Sequence, residues 1–260
     1  MDNAEAVARL DALTRRLRRE CPWDREQDER SIVPHTVEEA YELADAAHRG
    51  DDAKLVDELG DVLFQVHFLS LLLEERGTGS LAEVAGHAHD KLVRRHPHVF
   101  GETEVASAGE VLRNWDGIKA TEPGREGGTF GEVPENLPGP LYARKLQRRV
   151  ASTGFDVADI PYDAVEGELE ELRAARDRDE AFHELGDVLF AVVNVARKLH
   201  VDPELALRAA ADRFRGRIET AEALARRSGR EWGGLSTDEQ LALYAQARLA
   251  EPTETPEESP

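Results

Sequence analysis

The feature that most constrains this chain is an acidic and apolar block that occurs twice. Asp57-Glu58-Leu59-Gly60-Asp61-Val62-Leu63-Phe64 returns as His183-Glu184-Leu185-Gly186-Asp187-Val188-Leu189-Phe190. Upstream, Glu39-Ala40-Tyr41-Glu42-Leu43 matches Glu168-Leu169-Glu170-Glu171-Leu172; downstream, Lys91 and Arg95 match Arg213 and Arg217. Three blocks in one order, with small drifts of offset at loops, indicate duplication. Apolar residues recur at helical steps, as in Ala6, Leu10, Leu13 and Leu17, and no segment alternates as a strand does. The expected fold is therefore all-α, with two tandem helical-bundle domains.

The punctuation of the chain divides it further. Residues 1–121 form the first expected domain, and 122–140 a linker dense in Pro and Gly. Residues 141–250 form the second domain. The acidic tail 251–260 is expected to be disordered. In the first domain a helix over 5–20 is broken by Cys21-Pro22-Trp23-Asp24. The next helix is expected to begin after Pro34, with Thr36 as N-cap and Glu39 at the capping-box position, and to stop near Gly50. Further helices are expected over 53–76, 81–95 (capped by Ser80), 107–120, 141–151, 163–176, 180–199, 203–228 and 237–249.

The acids outnumber the bases, 53 to 33, for a formal charge of −20. Such a chain repels nucleic acid and anionic membranes as a whole, so neither is an expected partner. If it handles phosphates, it does so through bound cations or local Lys and Arg. The single cysteine, Cys21, excludes an intrachain disulfide. Met1-Asp2-Asn3-Ala4-Glu5 lacks the basic and apolar pattern of an export signal. A cytoplasmic location is expected. The most apolar stretch, 62–73, falls short of the roughly 20 residues a bilayer requires.

The acids themselves form a constellation. Glu39 and Glu42 are three apart on one helix, and Glu58 and Asp61 three apart on the next. Glu39 lies 11 residues before Gly50 and Asp61 11 residues after it, so an antiparallel hairpin sets the two pairs opposite each other at similar height. Facing carboxylates repel unless a cation offsets them, and oxygen ligands suit Mg²⁺ or Mn²⁺.

Glu38-Glu39-x-x-Glu42 followed by Glu58-x-x-Asp61 resembles the MazG nucleoside triphosphate pyrophosphohydrolases. Cys21-Pro22-Trp23-Asp24-x-x-Gln27, Arg94-Arg95-His96-Pro97-His98-Val99-Phe100, Asn114-Trp115-x-x-Ile118-Lys119, Ala143-x-Lys145-x-Gln147 and Gly154-Phe155-Asp156 are similar to the full-length, two-domain form. The resemblance implies an all-α homodimer and Mg²⁺-dependent hydrolysis of nucleoside triphosphates, non-standard ones included, to monophosphate and pyrophosphate. It implies metal ligation by Glu39, Glu42, Glu58 and Asp61, and by Glu168, Glu171, Glu184 and Asp187 in the second repeat. Lys54, Lys91 and Arg95, with Arg213 and Arg217 in the second repeat, are candidate phosphate clamps. Glu38 is a candidate general base, and Tyr244 a candidate for stacking on the nucleotide base. Gly167 stands where the first repeat has Glu38, and Glu180 where it has Lys54, so turnover is expected to be unequally shared.

Three rival readings compete. Glu180-x-x-His183 has the form of a di-iron ligand pair, but it occurs once. His87, His89-Asp90, His96 and His98 offer a histidine/aspartate phosphohydrolase or zinc site. The third reading is a non-catalytic metal-binding helical dimer with a regulatory or partner-binding role.

Overall fold

The computed structural model describes residues 2–120, 122, 128–130, 133–134, 136–250. The expected tail 251–260 and the linker residues 123–127, 131–132 and 135 lie outside the described residues. The chain divides into two compact units, Met1–Gly127 and Gly128–Pro260, with the division inside the Pro/Gly-rich stretch. The described residues are mainly helical, and no strand occurs among them. No helix among them is long and apolar enough to cross a membrane.

The first unit contains α1 (Asn3–Glu20), α2 (Pro22–Glu26), α3 (Glu29–Arg49), α4 (Asp52–Glu75), α5 (Leu81–Arg95), α6 (Pro97–Phe100) and α7 (Ala108–Ala120). Cys21 does end α1, and Pro22 opens the short α2, where its missing N–H is harmless. Arg18 ties the two together: Nη1 donates to the carbonyls of Asp24 and Gln27 at 2.5 and 2.9 Å. The same guanidinium pairs with Glu75, and Arg15 with Glu74, which fixes α1 along the end of α4.

The start of α3 departs from expectation. The helix begins at Glu29 and carries Pro34 inside it. Proline there forfeits a backbone hydrogen bond to the carbonyl four residues back. Two interactions offset that loss. Asp28 and Ser31 form a reciprocal capping box. Ile32, only 1% exposed, is buried with Phe68 and Leu72 in the core of the unit. Thr36, expected as the N-cap, instead donates its hydroxyl to the Ile32 carbonyl at 3.3 Å.

The α3–α4 turn is tight. Gly50 adopts φ +66° and donates its N–H to the carbonyls at the end of α3, a conformation that favours glycine. Asp51 accepts from the Lys54 N–H and starts α4 at once. A hairpin this short brings Glu39 of α3 beside Glu58 and Asp61 of α4.

The second unit contains α8 (Gly139–Ala151), α9 (Tyr162–Ala174), α10 (Arg178–Lys198), α11 (Pro203–Arg227) and α12 (Thr237–Leu249), with a 3-10 turn at Trp232–Gly234. Helix α8 begins inside the expected linker because Pro140 fits a first helical turn. Asp177 caps α10 by accepting from the N–H groups of Asp179 and Glu180. Asp202 caps α11 and also receives Arg144 of α8. Val188, Ala191 and Val193 of α10 and Ala221 and Ala225 of α11 are buried.

Candidate metal-binding site

Each unit presents an acidic cluster on its helical hairpin. In the first, one carboxylate oxygen from each of Glu39, Glu58 and Asp61 lies within 4.8 Å of the others. In the second, Glu168, Glu171 and Glu184 meet under the same distance. Glu42 and Asp187, expected as fourth ligands, stand outside these groups of three. Both still contribute to the local field, Glu42 at Glu39 and Asp187 at Glu168. The two clusters are therefore related but not identical. The first draws two of its three acids from the second helix of the hairpin, and the second draws two from the first helix.

Glu58 is the most constrained of these acids. It is 1% exposed, and its Oε1 pairs with the Lys54 ammonium one turn earlier on α4. Its Oε2 is also buried and receives no hydrogen bond. A buried carboxylate with an unsatisfied oxygen is costly. Beside it, burial raises the Glu39 pKa, and the charges of Asp61, Glu42 and Glu58 raise it further. Glu168 is raised in the same direction by burial and then by Glu171, Asp187 and Glu184. Carboxyls pushed towards their neutral forms by burial and by neighbouring carboxylates mark a site where positive charge is favoured.

A hard divalent cation would supply that charge. Around Mg²⁺, oxygens at about 2.1 Å from the ion stand up to ~4.2 Å apart, so small side-chain rotations bring either cluster to that spacing. The donor set, carboxylate oxygen alone, fits Mg²⁺ or Mn²⁺ and not a softer metal.

The candidate phosphate clamps occupy varied surroundings. Lys54 sits at the first cluster as the counter-ion of Glu58 and also approaches Asp57 at 3.5 Å. Lys91 is half-buried on α5. Arg95, one turn on, is engaged elsewhere: with Arg94 it grips Glu122, and its guanidinium lies 5.1 Å from the centre of the Trp115 ring. Arg213 is exposed and Arg217 half-buried on α11. Glu38, on the exposed side of α3, meets His35 Nδ1 at 3.3 Å. Tyr244 packs on Phe214, with ring centres 5.9 Å apart.

The rival histidine sites are drawn into other contacts. Glu180 is held by Arg176, and His183 Nδ1 lies 2.8 Å from the Asp179 carbonyl. His89 and Asp90 pair with each other at 2.9 Å on open surface. His96 Nδ1 reaches the Leu92 carbonyl at 2.6 Å.

One feature of the second unit escaped sequence reasoning. A cavity of about 450 Å³ opens between α8, α10 and residues 154–157. Phe190, Asn194 and Arg197 line it from α10. Its sequence signals were the motif blocks that hold Gln147, Gly154-Phe155-Asp156 and Phe190, whose residues line it together.

Comparison with known proteins supplies independent findings. Residues 27–100, which contain the first acidic hairpin, match the family model of the MazG nucleotide pyrophosphohydrolase domain. The chain is 41% identical over 212 residues to the "Nucleoside triphosphate pyrophosphohydrolase/pyrophosphatase MazG" of Thermotoga maritima, covering 80% of this chain and 82% of that one. It is 36% identical over 257 residues to the "Nucleoside triphosphate pyrophosphohydrolase" of Escherichia coli K12, covering 94% and 98%. A protein of the same description from Mycobacterium tuberculosis is 32% identical over 159 residues, 60% of this chain and 47% of that one.

Proposed function

Given that the chain belongs to the MazG family and is a nucleoside triphosphate pyrophosphohydrolase, we propose that it uses Mg²⁺ to cleave ribo- and deoxynucleoside triphosphates, non-standard ones included, between the α- and β-phosphates. The two carboxylate clusters, with Glu58 buried and its Oε2 receiving no hydrogen bond, are the observation that carries this reading. Mn²⁺ is the expected substitute. The two units are tandem MazG-type domains, each with its own acidic hairpin.

In the proposed reaction a water oxygen bonds to the α-phosphorus while the bond from that phosphorus to the α–β bridging oxygen breaks. The bridging oxygen leaves with pyrophosphate, and the water proton passes to a carboxylate. When bound, Mg²⁺ would neutralise the triphosphate and stabilise the charge that develops on the leaving group. Glu39, Glu42, Glu58 and Asp61 would hold it in the first unit, and Glu168, Glu171, Glu184 and Asp187 in the second. Lys54 and Lys91, with Arg95 once released from Glu122, orient phosphates at the first hairpin. Arg213 and Arg217 do so at the second. Glu38 takes the water proton at the first hairpin; the second, with Gly167 at that position, shares turnover unequally.

The chain works as a homodimer in this reading. Val56, Leu59, Leu63 and Val66 follow each other at three- and four-residue steps on α4 and are 71, 51, 40 and 37% exposed. A stripe of that kind on a structured helix marks a surface that a partner covers.

The test is to incubate the pure protein with each common and deaminated triphosphate and Mg²⁺, resolving products by phosphorus NMR. Monophosphate and pyrophosphate, abolished by EDTA, are expected. Diphosphate and phosphate would overturn the proposed position of cleavage.

A further inference from the structure

Lys54 stands where two local rules disfavour it. It lies in the first turn of α4, where Asp51 accepts its backbone N–H at 3.0 Å. The N–H groups of a first turn carry partial positive charge, which repels a cation. Lys54 also precedes its partner Glu58 by one turn, and a Lys–Glu pair in that order is weaker than the reverse. Helix stability alone does not account for a lysine here.

Its ammonium reaches the first acidic cluster instead. Glu58 is 1% exposed, and one of its oxygens stands within 4.8 Å of oxygens from Glu39 and Asp61. The Lys54 ammonium pairs with Glu58 Oε1, yet neither oxygen of Glu58 receives a hydrogen bond. Lys54 thus supplies charge without satisfying the lone pairs. A buried carboxylate left with no cation is among the costliest groups in a fold. A divalent ion that bonds directly to oxygen satisfies it better than a misaligned ammonium does.

Lys54 is also placed to let go. Its side chain is half-exposed, and the exposed Asp57 already lies 3.5 Å from the same ammonium. The flexible four-carbon stem lets that ammonium move towards water, so no charge is stranded when Glu58 takes another cation. The second hairpin is built otherwise. Glu180 stands where Lys54 would, in a first turn that suits an acid, and Arg176 holds it. Glu184 is only half-buried, so water offsets part of its charge.

We propose, resting on the metal reading above, that Lys54 is the resident counter-ion of the first hairpin: it holds Glu58 in the metal-free protein, yields it to the entering divalent cation, and turns its freed ammonium to the phosphates of the triphosphate. Two consequences have opposite signs. Lys54 competes with the metal for Glu58, so its removal tightens metal binding. It assists the triphosphate, so its removal weakens substrate binding. A lysine that merely braced α4 would weaken both when removed.

The test uses the full chain carrying Glu184→Gln, which is expected to empty the second cluster, with and without Lys54→Met. Mn²⁺ binding is titrated by electron paramagnetic resonance. The Kd of a non-cleavable α,β-methylene nucleoside triphosphate is measured by calorimetry at saturating Mn²⁺. Lys54→Met is expected to tighten Mn²⁺ about tenfold and to raise the Kd of the analogue about tenfold. In the protein that keeps Lys54, its ammonium signal, assigned by its loss in the variant, is followed by NMR and is expected to move on addition of Mg²⁺. A Mn²⁺ affinity unchanged or weakened by Lys54→Met, or an ammonium signal unmoved at saturating Mg²⁺, would overturn the inference and leave the metal reading standing. Tightened Mn²⁺ in a protein that cleaves no triphosphate would uphold the counter-ion and sink the cleavage reading instead. Absence of Mn²⁺ binding both with and without Lys54 would overturn the two together.

Discussion

Lys54 reaches the carboxylate of Glu58 one turn further along α4, and the pair is sharply unequal: Lys54 is 49% exposed and Glu58 1%. One oxygen of Glu58 is thereby neutralised, while the other stays buried without a donor. The pairing with Glu58 and then Asp57 raises the Lys54 pKa, so Lys54 is charged throughout the working pH range.

The first prediction concerns metal binding. Glu58→Gln is expected to remove the ion of the first hairpin and leave that of the second, and Glu184→Gln to do the reverse. Mn²⁺ titration followed by electron paramagnetic resonance would show each variant binding about half as much metal as the parent at a given free concentration. A full complement in Glu58→Gln would rule the first cluster out as a metal site.

Unequal turnover is the second prediction. Glu171 belongs to its three-acid group, whereas Glu42 stands outside the corresponding one. Glu171→Gln is therefore expected to lower kcat/KM about tenfold more than Glu42→Gln, in line with losing a ligand already seated among its partners as opposed to one that must move to reach the ion. Steady-state kinetics on one triphosphate decide it, and equal losses would contradict the proposed division of labour.

The third prediction is a pH dependence. Glu39 and Glu168 have pKa values raised above 4.5 by burial and by neighbouring acids. The folded, metal-free protein then binds more protons than the unfolded chain just above pH 4.5, so these two groups make stability fall as pH rises through that window. Glu39→Gln should flatten part of the fall in a series of thermal melts in EDTA. Mg²⁺ should act oppositely, binding more tightly as pH rises because its ligands must be ionised. A fall as steep in Glu39→Gln as in the parent would remove Glu39 from this account.

Assembly gives a fourth. Leu63→Glu places a charge in the exposed stripe of α4 and is expected to convert the dimer to a chain of 28.9 kDa in light scattering, with helical content unchanged. A parent protein that already runs at that mass would dismiss the proposed dimer.

Core packing yields the last. Phe68, 0% exposed between Ile32 and Leu72, is expected to lose about 3–5 kcal/mol of stability on truncation to alanine. Urea denaturation measures it, and a loss under ~1 kcal/mol would show that α3 is anchored elsewhere.

Much was legible before any coordinates, because helical periodicity, capping residues and spacing are local. Ser80 caps α5 as its sequence implies, and the helix over 81–95 begins and ends where its pattern does. The four acids of each hairpin follow from spacing on two helices and a short turn. The departures have non-local causes. Pro34 signalled a helix start, but a capping box at Asp28 and the burial of Ile32 under Phe68 carry α3 through it.

Within the site the same boundary holds. Sequence alone determined that acids would gather on helical hairpins in both halves, since the spacing of side chains on a helix is set by the backbone. Only the tertiary structure decided which acids meet. Glu58 is buried and Glu42 is not, Arg95 is drawn to Glu122, and Gln147 is brought to Phe190 across the intervening residues. Those outcomes depend on how helices rotate and pack against each other, and contacts between residues far apart in the chain leave no periodic trace in its sequence.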